Sequence, residues 1–125
     1  MKRTIAARLL DAIEALDAVE RHTFGLSRVE FEASEVTQHA VERLLITVGE
    51  ALSEAENAQA EIAHKVPDIR KIVGTRNRLV HNYWNVDPDV LWDVIVVKGA
   101  LLRATLLELL DEYSSSSPER RVQGC

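Results

Sequence analysis

The sequence predicts an all-α fold, an antiparallel bundle of four to five helices. Three observations carry that expectation. Ala, Leu, Glu and Val dominate, whereas aromatic residues make up 5% and only 5 glycines and 3 prolines punctuate the 125 residues, a balance that favours helices over a strand-and-turn sandwich. Apolar residues recur at steps of three and four along most of the chain. Helix-start signals stand at Ser27 and Asp87.

Ile5, Leu9, Ile13 and Leu16 repeat at helical spacing between charges and define a first amphipathic helix to about Arg21, with a break over His22 to Leu26. Ser27 followed by Glu30 has the spacing of a capping box, in which each side chain satisfies a free backbone N–H of the first turn. A second helix is expected from there to about Glu56. Its Val41, Leu44, Leu45, Val48 and Leu52 form one apolar stripe; Ile46, Gly49 and Ser53 line another arc roughly 120° away, so two neighbours are expected, one of which could be another subunit. The Asn57 to Val66 stretch reads as helix or loop, and Pro67 is the expected break. A third helix runs from Ile69 to about Asn82 and ends at an Asn85 to Asp87 turn. Asp87 as N-cap with Pro88 in the first turn opens a fourth, carrying Val90, Leu91, Val94, Ile95, Val97, Leu101, Leu102, Leu106 and Leu109 to about Tyr113. Residues 1–113 thus read as one helical domain, and the polar, Ser-rich 114–125 as a disordered tail.

A hydrophobic fraction of 46% is ample for a single core at this length. The formal charge of −5 argues against a general nucleic-acid coat but leaves room for a local basic patch. The lone cysteine, Cys125, cannot form an internal disulfide. Arg8 and Asp11 interrupt any secretory apolar run, and no stretch approaches the ~18 uncharged apolar residues of a membrane span. A soluble, cytoplasmic protein is expected.

Against this background Arg76 stands out. With Ile69 at zero and steps of about 100°, Ile72, Val73, Leu79, Val80 and Tyr83 share an arc of roughly 120°, and Arg76 lies inside it. A guanidinium keeps its proton, so one turned inward must meet a carboxylate, a phosphate or a wet cleft. His81 follows five residues on, about 140° around the helix and roughly 7.5 Å along it. The two converge only if Arg76 folds back, the helix frays, or a second copy supplies the matching group. Asn77, one turn before His81, could hold its imidazole. Equally, Arg76 could pair with a core Glu and His81 could satisfy carbonyls at a helix end.

Lys65, Arg70, Lys71, Arg76 and Arg78 crowd one segment whose only acid is Asp68, with Tyr83, Trp84 and Trp92 close by. Cations beside aromatic faces suit single-stranded RNA, whose bases stack while its phosphates pair, which makes Arg70, Lys71, Arg78 and Trp84 candidate RNA contacts. Trp92 reads better as a core residue. His22, His39 and His64 lack metal-ligand spacing, and neither a cofactor loop nor a Ser or Cys nucleophile is visible, so no metal and no cofactor are expected. Glu61 and His64 are one turn apart and could pair on a surface.

The segment Gly74-Thr75-Arg76-Asn77-Arg78-Leu79-Val80-His81-Asn82-Tyr83-Trp84 resembles the signature of the HepT-like branch of the HEPN ribonuclease superfamily. There an Arg, a polar residue, three further residues and a His form the catalytic motif, with a Tyr two positions later. Ala40 to Leu45 leading to Gly49-Glu50-Ala51 is similar to that family's second helix, and Val86 to Trp92 to its turn into the last long helix, so roughly Ile5 to Leu110 follows the pattern. Asp68 replaces a frequent Trp, and Lys98-Gly99-Ala100 a frequent Leu-Pro. The resemblance implies a helical homodimer with two motifs facing across a cleft. It also implies metal-independent endoribonuclease activity and the toxin role in a toxin–antitoxin pair whose antitoxin is an MntA-like nucleotidyltransferase that adds AMP to the motif Tyr. By that resemblance Arg76, His81 and Asn77 are catalytic and Tyr83 accepts AMP. Two other readings are a non-catalytic partner subunit of a nucleotidyltransferase, binding nucleotide or substrate in its cleft, and a plain helical dimerisation module.

Overall fold

A computed structural model describes residues 4–81 and 87–115, and of Ser115 the backbone alone. All regular structure among them is helical, as the composition requires. The helices are α1 (Ile5–Thr23), α2 (Arg28–Ala33), α3 (Glu35–Ala58), α4 (Ile62–Lys65), α5 (Ile69–His81), α6 (Pro88–Leu91) and α7 (Gly99–Ser115), with a π-helical segment at Trp92–Val97 between the last two. Helix α3 is the spine: α1 packs along it and against α7, and α5 lies on another of its sides.

The apolar stripes close into one core. Leu9, Ile13 and Leu16 of α1 meet Val41, Leu45, Val48 and Leu52 of α3, with Leu102, Leu106 and Leu109 of α7 behind them. Thr4 caps α1, its hydroxyl accepting from the Ala7 N–H at 3.0 Å. The Ser27 capping box is formed in both directions, Glu30 N–H to Ser27 Oγ at 3.1 Å and Ser27 N–H to Glu30 Oε1 at 3.0 Å.

The helix expected from Ser27 to Glu56 is two helices. Ser34 leaves helical geometry at φ −109°, ψ 94°, closes α2 through its own N–H, and caps α3 by accepting from the Thr37 N–H at 3.3 Å. The break lets Phe31 turn fully inward, where its ring lies 5.3 Å from that of Trp92. Trp92 accordingly packs on the core, as its sequence setting suggested. Between α3 and α5 only one helical turn forms, α4, which buries Ile62. Before α5 Asp68 adopts φ 60°, a left-handed conformation that Asp tolerates better than most residues.

The last apolar run is likewise interrupted. Its β-branched Val94-Ile95-Val96-Val97 stretch is wound as a π-helix, which shifts the phase of everything downstream. Val94 and Ile95 are buried, whereas Val97 and Leu101, expected on the inner face, are exposed. Helix α7 extends through Ser114 to Ser115, two residues into the stretch expected to be tail. The expected turn at Asn85, the Tyr83 and Trp84 side chains and residues 116–125, Cys125 among them, lie outside the described residues.

No helix among the described residues is long and apolar enough to cross a membrane.

Candidate functional site

Helix α5 carries the motif and is α-helical through His81. Ile69 and Ile72 bury its inner face, joined by Thr75, which is 1% exposed and whose hydroxyl is satisfied by donating to the Lys71 carbonyl at 2.7 Å. Leu79 packs half-buried against the core. Arg76 comes one residue after Thr75 and turns toward α3, its side chain 22% exposed.

The close approach of the two helices explains how an Arg fits there. Gly49 of α3 is buried beneath it, and a Cβ built on that glycine would stand 2.5 Å from Arg76 Cβ and 2.7 Å from its Cγ. The small face foreseen on α3 is thus occupied, at Gly49, by α5 of the same chain. Beyond the glycine the guanidinium reaches Glu50, Nη2 donating to Oε1 at 3.2 Å, while Nη1 donates to Asn77 Oδ1 at 2.8 Å. Among the described residues, Arg76 Nε is buried without an acceptor.

Arg76 therefore has a carboxylate partner, but a half-exposed one at the rim of the helix pair, with Glu50 51% exposed, rather than a core Glu. Asn77 turns to Arg76 and not to the imidazole. His81 stands exposed at the end of α5, and among the described residues no hydrogen bond joins it to Arg76 or Asn77.

The basic cluster is partly neutralised. Arg70 pairs with Glu56, Lys65 with Glu112 at 2.8 Å and Glu61 at 3.6 Å, and Asp68 with Lys98 at 3.6 Å. Lys71 borders a small apolar groove with Pro67, Ile72, Val94 and Leu102, about 140° around the helix from Arg76. Arg78 points at the Thr75 hydroxyl, 3.5 Å away. Glu61 is engaged by Lys65 and by the Tyr113 hydroxyl rather than by His64. On the other side of Glu50 a groove between α1 and α3 is lined by Asp11, Glu14 and Glu54, so the Arg76 guanidinium sits next to acidic surface.

The arrangement joins three of these parts at one helix crossing: a fixed cation on Arg76, its amide neighbour Asn77 and its carboxylate neighbour Glu50. Glu50 escaped the reading of the sequence as a site residue. The signal was its place directly after a glycine on the side of α3 that meets α5.

Comparison with known proteins agrees with the motif. The family model described as ribonuclease HepT-like matches residues 12–109. The chain is 33% identical over 95 residues, 76% of its own length and 86% of the relative's, to a protein of Thermococcus cleftensis named as a probable ribonuclease HepT. It is 32% identical over 94 residues, 74% of its length and 75% of the relative's, to a protein of Methanocaldococcus jannaschii named as a candidate RNase. A second protein of that organism, named in the same way, is 31% identical over 96 residues, covering 75% of this chain and 85% of the relative. No solved structure is significantly similar. With a matched span covering most of the chain, and with the Arg76-to-His81 motif inside it, this protein belongs to the ribonuclease HepT-like family.

Proposed function

We propose that the chain is a metal-independent endoribonuclease, the toxin of a HepT/MntA-like toxin–antitoxin pair, silenced by AMP addition to Tyr83. The observation that carries this reading is Arg76: a guanidinium held at a helix crossing, its side chain largely but not fully buried, within a chain of the HepT-like family. RNA brings its own nucleophile, the 2′-OH, so the protein need only place the phosphate, move two protons and offset charge on the transition state.

In this mechanism Arg76 holds the phosphate and Asn77 orients a phosphate oxygen or the guanidinium. An imidazole of His81 takes the proton from the 2′-OH as that oxygen bonds to phosphorus. A protonated His81, from the second copy of a homodimer, gives a proton to the departing 5′-oxygen. The products are a 2′,3′-cyclic phosphate and a 5′-OH. The dimer is part of the proposal because α5 remains helical through His81 while Arg76 is drawn to Glu50, so convergence within one chain is disfavoured. Arg78, Lys71, Arg70 and Trp84 would guide RNA toward the site, and the reaction would take place in the cytoplasm.

Control through Tyr83 has a chemical rationale. An AMP there, two residues after His81, would place a phosphate within reach of Arg76 and fill the space that an RNA phosphate needs. The chain's other tyrosine is a poor acceptor: Tyr113 donates to Glu61 at 3.0 Å, and burial followed by that carboxylate raises its phenol pKa above the usual 10.0. Incubation with a cognate nucleotidyltransferase, ATP and Mg²⁺ should add AMP mass to the Tyr83 peptide and abolish cleavage, whereas Tyr83→Phe stays active and cannot be silenced. A mass gain mapped to Tyr113 would refute this control.

The Glu50–Arg76 pair gives one observation in favour of a second reading, a plain helical dimerisation module whose Arg76 is simply ion-paired. Incubating purified protein with single-stranded RNA in excess EDTA separates the two. The proposal expects cleavage with cyclic phosphate ends; intact RNA would leave the second reading.

A further inference from the structure

We propose that Gly49 and Glu50 act together as the positioning device for Arg76, Gly49 by admitting its stem and Glu50 by fixing its plane. This rests on the reading of Arg76 as the phosphate-binding cation. A free arginine on a helix surface samples many rotamers, and its guanidinium would spend little time in one place. Here the first carbons of the side chain lie on the bare backbone of α3, at a separation that no residue but glycine permits. The stem can then extend only along α3, and the next residue of that helix, Glu50, receives it.

The donor inventory shows what the contact does. A guanidinium has five N–H groups in one plane. Among the described residues the Nε proton is buried without a partner, one Nη1 proton goes to Asn77 and one Nη2 proton to Glu50. Two contacts at opposite ends fix the plane, and one proton on each terminal nitrogen remains for a phosphate, the pairing for which the guanidinium fork is suited.

Glu50 has a cost as well: its negative charge stands beside the place where a phosphate would bind. Positioning and charge thus act in opposite directions on two measurable quantities. Holding the fork in place raises kcat, and the nearby carboxylate weakens RNA binding.

Glu50→Ala is therefore expected to lower kcat on the order of 10- to 100-fold, the scale of a misplaced catalytic group, while KM for RNA falls. Glu50→Gln, whose amide oxygen can accept the same N–H, should recover much of kcat. A residue that merely supported the fold would not lower KM, and its loss would not be repaired by the amide. Unchanged kcat in Glu50→Ala, or a rise in KM, overturns the proposal.

A second readout does not depend on activity. In ¹⁵N–¹H spectra the Arg76 guanidinium signals, assigned by their loss in Arg76→Lys, should show restricted rotation in the parent protein and free averaging in Glu50→Ala. Identical signals in the two would overturn the clamp. If the parent cleaves no RNA, the proposed function fails on its own, and the guanidinium signals still decide whether Glu50 holds Arg76.

Discussion

At the scale of single residues, the chemistry divides between groups held by neighbours and groups left to solvent. Arg76 belongs to the first kind and His81 to the second, although sequence spacing treats them as a pair. The Arg was legible because a cation interrupted an apolar arc; its carboxylate partner was not, because Glu50 lies 26 positions away on another helix. Elsewhere His39 is an exposed histidine between two acids, bonded to Glu42 at 2.8 Å and 3.5 Å from Glu35. The bond to Glu42 first, and Glu35 after it, raises its pKa above the ordinary 6.5. A pKa raised on folding stabilises the folded state below the ordinary value, and the contribution is lost as pH climbs through the raised one. Urea melts across about pH 6 to 8 should therefore show stability declining more in the parent than in His39→Gln. Parallel pH profiles for the two proteins would show that His39 contributes nothing.

At the scale of elements, helix starts were read more securely than helix continuity. The cap at Ser27 and the proline turn at Asp87 are local signals, satisfied by atoms within three residues. The break at Ser34 and the π segment at Trp92–Val97 depend on what the chain packs against: Phe31 must reach Trp92, and a continuous helix from Ser27 would not turn it there. Ser34→Ala removes the acceptor for the Thr37 N–H and should lower stability by about 1 kcal/mol in chemical denaturation. Gly49→Ala is a sharper test, because two effects oppose each other. Helix preference alone favours Ala by roughly 0.5–1 kcal/mol, whereas the added methyl meets the Arg76 stem and forces α3 and α5 apart, a strain of about 1–3 kcal/mol. The net result expected is destabilisation, and a Gly49→Ala protein more stable than the parent would contradict the close crossing.

At the scale of the whole molecule, the bundle presents Arg76 at the rim of one helix pair and His81 at the exposed end of α5, an arrangement that a second copy can complete. Light scattering should therefore give about twice the 14.0 kDa chain mass. If each site needs His81 from both copies, mixing equal amounts of parental and His81→Ala chains should leave about a quarter of parental activity, because only about a quarter of the dimers keep both histidines. Half the parental activity would show that each chain works alone. The all-helical class and the motif helix were legible from periodicity because each helix buries one face. The partner of Arg76 and the phase of the last helix were not, because they arise only when helices meet. The roles of Arg76 and His81 are tested most directly by comparing single-turnover RNA cleavage, in excess EDTA, by the parent, Arg76→Ala and His81→Ala. Each variant should be slower by about 10² to 10⁴, with its helical circular dichroism unchanged. Cleavage by His81→Ala at the parental rate would contradict the role given to His81.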